Sequence, residues 1–226
     1  MVHMRLTGIY LAAGQSRRMG RHKLSLELAA GKALGLFALE AMLHCREIAE
    51  IVAVVREDDD LAWASQTHVH EWRAKLCIAT YADADQGMAY SLRYGLAQAL
   101  KGAAKTDAVL VVLADQPFIT SELLGSLAEE FARDRSLDYV ACSCNGTPHP
   151  PALLSAAMFP AVESLIGDAG ARKLLTDAAW RGKLVDVNSA AVFGDVDTPD
   201  DLYKLQRLMQ AHLVKTPDDR INKSYD

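Results

Sequence analysis

The chain has 226 residues, of which 50% are hydrophobic and 23% charged, and its formal net charge is −5 at pH 7. This length and composition suit a globular domain with a substantial core and exclude the fibrous and disordered classes. The acidic balance argues against a nucleic-acid partner, since such proteins carry a basic excess. No apolar run approaches the roughly 20 residues that span a bilayer, so we expect a cytoplasmic protein with no membrane partner.

Short apolar runs alternate with helical patterns along the chain, which is typical of a mostly parallel sheet covered by helices. The uninterrupted run from Val109 to Leu113 predicts a central strand that is covered on both faces. Cys142 and Cys144 alternate as in a strand and lack the spacing of zinc ligands. The predicted strands are 7–11, 51–55, 76–80, 108–113, 139–142, 151–154, 184–187 and 191–193.

Helical patterns lie between these runs, and the last of them has the clearest beginning. Thr198 can cap it, Pro199 suits its first position, and Asp200 and Asp201 favour its positive end. We predict a three-layer, Rossmann-like α/β fold that forms one domain over 5–213, followed by a flexible tail over 214–226. The predicted helices are 34–46, 61–72, 89–101, 121–134, 169–179 and 199–213.

A loop of small and basic residues follows the first predicted strand. Ala12, Ala13 and Gly14 let a ligand approach the backbone, whose successive N–H groups can bind anions. This is neither a P-loop nor a G-x-G-x-x-G fingerprint, but the carboxyl end of a strand is where open α/β sheets bind ligands. A solvated basic turn is the alternative. The cations that could neutralise a triphosphate are Arg17, Arg18, Arg21 and Lys23.

Acidic residues follow two of the predicted strands. Asp115 ends the central strand at the same edge of the sheet as the basic loop, and a carboxylate beside a triphosphate requires a cation such as Mg²⁺. Its alternative role is to start the turn made by Pro117. Asp195 and Asp197 share one face of an extended run, and Asp197 could complete a magnesium site.

Several runs resemble motifs of the molybdopterin nucleotidyltransferase family, a branch of the sugar-nucleotidyltransferase fold. The run Leu-Ala-Ala-Gly-x-Ser-x-Arg-Met-Gly-x-x-Lys at 11–23 is similar to its signature loop. Ala-Asp-Gln-Pro at 114–117 is similar to its magnesium motif, and Asp-x-Asp-Thr-Pro-x-Asp at 195–201 to its closing motif. Gly-Met-x-x-Ser-Leu at 87–92 is similar to the stretch beside the base and ribose. The matching segments extend from residue 9 to residue 202.

This resemblance implies a role for each matching residue. Arg18 and Lys23 would bind the phosphates and act in catalysis with Asp115. Asp115 and Asp197 would hold Mg²⁺, and Asp195 is a weaker candidate. The other nucleotide-binding residues that the resemblance implies are Leu11, Ala12, Ala13, Gly14, Ser16, Gly87, Met88 and Ser91.

Two further runs are similar to segments that face the acceptor in the molybdopterin branch. The run at 146–150 departs from the usual Gly-His-Pro because Pro148 precedes His149, so we expect a stiffer loop there. A hydrogen-bonded turn histidine is the alternative role of His149. The run Gly-Asp-x-Gly-Ala-Arg at 167–172 keeps the family pattern. The acceptor-binding residues that the resemblance implies are His149, Asp168 and Arg172.

The resemblance implies an Mg²⁺-dependent transfer of CMP from CTP to the phosphate of a molybdopterin-type cofactor, with release of pyrophosphate. Because the acceptor phosphate is already anionic, positioning and charge neutralisation suffice and no catalytic triad is needed. Guanylyl-transferring relatives carry Leu-Ala-Gly-Gly, and the methyl group of Ala13 therefore favours CTP over GTP. The product would serve an apo molybdenum hydroxylase, which is a candidate partner.

Three alternatives remain open from the sequence. The same chemistry could use GTP or another acceptor, such as a sugar phosphate or methylerythritol phosphate. The chain could instead be a chaperone that inserts the cofactor into an enzyme of the xanthine dehydrogenase type. A dinucleotide-binding oxidoreductase is disfavoured by the missing glycine fingerprint.

Overall fold

Strands and helices alternate along the chain in the computed structural model, which describes residues 4–14, 22–64, 74–102, 105–187, 190–194, 196 and 198–215. The strands are β1 (Leu6–Leu11), β2 (Glu27–Ala29), β3 (Lys32–Ala33), β4 (Ile48–Arg56), β5 (Leu76–Tyr81), β6 (Ala108–Leu113), β7 (Tyr139–Cys144), β8 (Thr147–Ser155) and β9 (Gly182–Asp186). The helices are α1 (Leu34–His44), α2 (Met88–Leu100), α3 (Ser121–Arg133), α4 (Phe159–Glu163), α5 (Ala171–Leu175) and α6 (Pro199–Lys215).

Seven of these strands form one sheet in the order β5-β4-β1-β6-β8-β7-β9. Strands β5, β4, β1 and β6 are parallel neighbours, and β7 pairs in parallel with β9. Strand β8 runs antiparallel to both β6 and β7. The prediction of a mostly parallel sheet in a three-layer α/β fold is confirmed.

Strand β6 is the central strand, as its uninterrupted apolar run predicts. Leu110 and Val112 belong to one core cluster with residues of α1 and α3, whereas Val109 and Val111 belong to a second cluster with residues of α2 and α4. Alternate side chains of a strand point to opposite faces, so both faces of β6 are covered. The residue that follows this strand therefore emerges from the middle of the molecule.

Helix α6 begins where its capping pattern predicts. The Asp201 backbone N–H donates to Thr198 Oγ1 (3.2 Å), and Asp201 Oδ2 accepts the Thr198 backbone N–H (2.9 Å). This reciprocal pair satisfies two amide groups at the start of the helix. The helix extends to residue 215, two residues beyond the predicted end of the domain, and 216–226 lie outside the described residues.

Several predicted boundaries are wrong. The expected strand at 191–193 is a 3₁₀ turn over 190–193, whose Val192 and Phe193 pack against the core. The expected helix at 169–179 is reduced to α5, because the Asp177 carboxylate accepts the Ala179 N–H and stabilises a turn instead. Residues 61–64 of the expected helix 61–72 form turns, and 65–72 lie outside the described residues. The hairpin β2–β3 and helix α4 were not predicted.

The expected loop at 146–150 is the first half of β8. Asn145 and Gly146 have positive φ values of 51° and 74°, and they form a two-residue hairpin turn that pairs Cys144 with Thr147. Asn-Gly is a strong hairpin signal because both residues tolerate positive φ. The pairing shifts register before residue 152, where the peptide bond between Pro150 and Pro151 is cis.

None of the described helices is long and apolar enough to cross a membrane.

Candidate active site

A cleft of about 440 Å³ opens at the carboxyl ends of β1 and β6. Its volume lies within the range of small-molecule sites, and the carboxyl edge of an α/β sheet is the usual position for one. It brings together residues from the basic loop, the end of β6, the start of α2 and the turn at 167–168. The lining residues are Leu11, Ala12, Ala13, Gly14, Lys23, Leu24, Ala84, Asp85, Gly87, Met88, Ser91, Leu113, Ala114, Asp115 and Asp168.

The wall that follows β1 is made of small residues held in place by the sheet. The Ala12 N–H donates to Val54 O (2.9 Å), and the Ala114 N–H donates to Leu11 O (3.1 Å). Ala12 and Ala13 are buried, whereas Gly14 is exposed. A Cβ atom at residue 14 would meet no atom of the described residues within 4 Å. A ligand can therefore approach the backbone at the end of this wall closely.

Lys23 and Asp115 form an ion pair at this end of the cleft. Lys23 Nζ donates to Asp115 Oδ2 at 2.6 Å, and the two side chains are only 11% and 17% exposed. Partial burial strengthens such a pair because water screens it less. Burial raises the pKa of Tyr10 well above its usual value, and the negative charge of nearby Asp115 raises it further. A cation and an anion are thus held side by side at the cleft.

The opposite wall is the start of α2, which is joined to the turn at 167–168. Gly87 has a φ of +116°, and the Ala89 N–H donates to Gly167 O (3.0 Å). A Cβ atom at residue 87 would lie 2.7 Å from Asp168 Oδ1. Asp168, predicted on the acceptor side, thus lines the same cleft as the predicted nucleotide-binding residues Gly87, Met88 and Ser91.

The other two predicted acceptor residues do not line this cleft. The His149 ring stacks on the Phe193 ring with centroids 4.8 Å apart and an angle of 18° between their planes. Burial lowers the pKa of His149 below its usual value, and the positive charge of Arg172 lowers it further. Both effects favour the neutral form of the ring. Arg172 is exposed on α5, four residues beyond Asp168.

Some predicted site residues lie outside the described residues. They are Ser16 and Arg18 of the signature loop, with its other cations Arg17 and Arg21, and the acidic residues Asp195 and Asp197. Their predicted roles in phosphate and metal binding remain predictions.

Five lining residues were missed by the sequence reasoning. Leu24, Leu113 and Ala114 adjoin predicted residues, so proximity alone could have suggested them. Ala84 and Asp85 form part of a 3₁₀ turn before Gly87 and carry no motif of their own. The Arg56 guanidinium donates to Asp85 Oδ1 (2.7 Å), which ties this turn to the end of β4.

The donor set suits a metal ion that is shared with a phosphate ligand. The described residues contain no group of three or more His, Cys, Asp or Glu side chains that could hold a metal. Mg²⁺ at nucleotide sites is usually held by one or two carboxylates together with phosphate oxygens and water. Asp115 lines the cleft beside the small-residue wall and offers one carboxylate there.

A wall of small residues, a buried lysine and a carboxylate at the end of the central strand line one cleft of this α/β protein. The chain belongs to the family described as the MobA-like NTP transferase domain, which matches residues 8–184. It is therefore a nucleotidyltransferase, and its sheet is that of the nucleotide-diphospho-sugar transferases.

Two curated relatives match almost the whole chain. Purine catabolism protein PucB of Bacillus subtilis (strain 168) is 31% identical over 210 residues, which cover 90% of this chain and 97% of that protein. Nicotine blue oxidoreductase of Paenarthrobacter nicotinovorans is 31% identical over 208 residues, which cover 88% of this chain and 96% of that protein.

Solved structures share the fold at lower identity. Rv0371c of Mycobacterium tuberculosis H37Rv, solved in complex with manganese, has a TM-score of 0.71 at 19% identity over 90% of this chain and 99% of that one. Molybdopterin-guanine dinucleotide biosynthesis protein A of Archaeoglobus fulgidus has a TM-score of 0.61 at 18% identity. The match covers 91% of this chain and 99% of that one.

Proposed function

We propose that the protein transfers CMP from CTP to the phosphate of a molybdopterin-type cofactor and releases pyrophosphate. The observation that carries the proposal is the ion pair between Lys23 and Asp115, 2.6 Å apart, beside a backbone wall that is open to a ligand. Family membership supports the triphosphate donor, and the fold shared with a molybdopterin-guanine dinucleotide biosynthesis protein supports the acceptor.

The triphosphate would lie against the wall from Ala12 to Gly14. Backbone N–H groups bind anionic oxygens there, and the Lys23 ammonium neutralises the charge that develops on the departing pyrophosphate. Arg18 of the same loop would add a second cation. The base and ribose would then lie beside Gly87, Met88 and Ser91 on the opposite wall of the cleft.

Asp115 would hold Mg²⁺, with Asp197 as a second ligand. The ion would neutralise phosphate charge and orient the α-phosphate for in-line attack. Asp115 would give carboxylate oxygens to the ion, and the neighbouring Lys23 ammonium would contact the phosphates. A solved structure of the same fold is a complex with manganese, which supports the use of a divalent cation.

The acceptor would approach from the side of the turn at 167–172. Asp168 lines the cleft, and Arg172 follows it on α5, where a guanidinium suits bidentate recognition of the acceptor phosphate. His149, neutral and stacked on Phe193, offers a ring nitrogen to a polar group of the acceptor. The acceptor oxygen attacks the α-phosphorus, and the bond to the pyrophosphate oxygen breaks.

One assay tests this proposal. Pyrophosphate release is measured with CTP, GTP, ATP and UTP in Mg²⁺, with and without molybdenum cofactor. We expect release with CTP that depends on the cofactor. Release that is the same without the cofactor, or that occurs only with a sugar phosphate or methylerythritol phosphate, would contradict the acceptor assignment. Tight binding to an apo molybdenum hydroxylase without pyrophosphate release would favour the insertion chaperone instead.

The choice of base is tested at Ala13. This residue is buried and lines the cleft, and its methyl group would limit the space for a purine nucleotide. We expect Ala13→Gly to raise the ratio of kcat/KM for GTP to that for CTP by about tenfold, the usual effect of one methyl group in a pocket. Ala12→Gly, which makes the same change one residue earlier, is the control. An unchanged ratio in the Ala13 variant would exclude this residue as the determinant.

A second candidate is a redox activity, because one relative at 31% identity is named an oxidoreductase. The loop after β1 lacks the glycine fingerprint of dinucleotide-binding folds, which weighs against it. Oxidation of NADH or NADPH by the purified chain with a quinone-type dye, under conditions without pyrophosphate release, would favour this candidate.

A further inference from the structure

Asp59 is a fully buried carboxylate outside the cleft, and it has no part in the reaction as proposed. Its side chain is 0% exposed. Asp59 Oδ1 accepts the Leu61 N–H (2.9 Å), Oδ2 accepts the Trp63 indole N–H (3.1 Å), and His22 Nε2 lies 3.3 Å from the same Oδ2. A buried carboxylate is costly unless donors and cations surround it, so this arrangement calls for an explanation.

The group that holds Asp59 is itself rigidly packed. Trp63 is among the largest fully buried side chains, and its ring lies 6.2 Å from that of Tyr10. The Tyr10 hydroxyl donates to Gly35 O (2.6 Å). A Cβ atom at residue 35 would lie only 2.8 Å from Trp63 Cε3, so α1 packs directly on the indole. The Asp59 carboxylate is therefore fixed relative to β1 and α1.

His22 connects this rigid group to the cleft. It directly precedes Lys23, and its carbonyl oxygen accepts the Ser25 N–H (3.2 Å) in the 3₁₀ turn that Lys23 begins. Both ring nitrogens of His22 are shielded from solvent, and neither has a hydrogen-bond partner in the described part of the chain. The approach of Nε2 to Asp59 Oδ2 at 3.3 Å is therefore a close electrostatic contact of the ring rather than a hydrogen bond. One peptide unit separates that ring from the backbone of Lys23.

We propose that Asp59 is a positioning residue that acts through His22 to aim the Lys23 ammonium at the triphosphate. The chain of contacts runs from Asp59 to His22, along the backbone to Lys23, and from Lys23 Nζ to Asp115 at 2.6 Å. A lysine side chain is long and flexible, so its stem must be held if its charge is to meet a phosphate. This inference rests on the proposed role of Lys23 in phosphate binding.

Asp60 provides a matched control in the same turn. Asp60 Oδ1 accepts the Ala62 N–H at 2.9 Å, just as Asp59 Oδ1 accepts the Leu61 N–H at 2.9 Å. Asp60 is exposed, and within the described residues it makes no hydrogen bond to His22 or Trp63. Asp60→Asn therefore changes the same kind of turn without altering the support of Lys23. His22→Ala is the second variant, which removes the link and leaves the buried Asp59–Trp63 pair in place.

The test measures the Kd of inorganic pyrophosphate and of CTP, each with Mg²⁺, by isothermal titration calorimetry on the full chain. We expect both Kd values to rise about tenfold in Asp59→Asn and in His22→Ala, about a hundredfold in Lys23→Ala, and less than twofold in Asp60→Asn. Because Asp59 acts through Lys23, Asp59→Asn should add less than twofold in the Lys23→Ala background.

Each other outcome has a distinct meaning. Equal Kd values for the Asp59 and Asp60 variants, or no change in His22→Ala, would overturn the inference. So would a full tenfold effect of Asp59→Asn in the Lys23→Ala background, because a purely structural role would persist there. An unchanged Kd for pyrophosphate in Lys23→Ala would instead remove the proposed role of Lys23 itself.

Discussion

Asp115→Asn is expected to lower the turnover number by about a thousandfold while the chain remains folded. Asparagine has nearly the same shape, but it removes the charge that would hold Mg²⁺ and that faces Lys23 Nζ at 2.6 Å. The variant also removes the Asp115 charge that Lys23 contacts, so its affinity for free pyrophosphate should fall less than its turnover does. Pyrophosphate release at saturating CTP and Mg²⁺ is the measurement, with circular dichroism as the test of folding.

Asp107→Asn is the matched control, because Asp107 precedes the strand that Asp115 follows. Asp107 Oδ2 accepts the Arg5 N–H (2.8 Å) at the far end of β6 from the cleft. We expect this variant to keep its turnover within a factor of about two, as substitutions remote from the chemistry usually do. Normal turnover in the Asp115 variant at saturating Mg²⁺ would exclude Asp115 as a metal ligand, and a loss of equal size in the Asp107 variant would point to general destabilisation.

The pairing of Lys23 with Asp115 could be anticipated from the sequence because it depends on a rule of topology. Parallel strands place their carboxyl ends at one edge of the sheet, so a loop after β1 and a residue after β6 must meet there. The apolar run of β6 identified the central strand on the same grounds. Strand ends and uninterrupted apolar runs therefore predicted correctly which segments meet at the cleft.

Contacts between irregular segments could not be anticipated in this way. Gly87 and Gly167 are 80 residues apart, and each has a positive φ that no pattern in the sequence specifies. The stack of His149 on Phe193 depends on a 3₁₀ turn where the apolar residues suggested a strand. The contact between His22 Nε2 and Asp59 Oδ2 (3.3 Å) likewise joins two turns. Turns take their conformation from tertiary contacts, so their partners are known only from the structure.

The packing contact between α2 and the turn at 167–170 links the two parts of the cleft. Gly87 and Met88 line the part of the cleft assigned to the base and ribose, and Asp168 and Arg172 belong to the side assigned to the acceptor. A Cβ atom at Gly170 would lie 2.6 Å from Met88 Sδ, so the two segments are in direct contact. A change in either segment should therefore affect both substrates.

Gly87→Ala is expected to destabilise the chain by about 3 kcal/mol and to raise the KM for the nucleotide at least about tenfold. The φ of +116° is strained for any residue with a Cβ atom, and that atom would lie 2.5 Å from the carbonyl oxygen of Gly167. The turn at Gly167 cannot move away without breaking the hydrogen bond from the Ala89 N–H to the same oxygen (3.0 Å). Urea denaturation and initial rates at varied CTP measure the two effects.

Gly31→Ala separates backbone strain from the clash. Gly31 has a φ of +76°, but a Cβ atom there would meet no atom of the described residues within 4 Å. We expect this variant to lose only about 1 kcal/mol and to keep its KM, because the cost of a left-handed residue is about that large and the cleft is not disturbed. If Gly87→Ala were no less stable than Gly31→Ala and bound nucleotide normally, α2 would not depend on the turn at 167–170, and the two substrates would be recognised by independent walls.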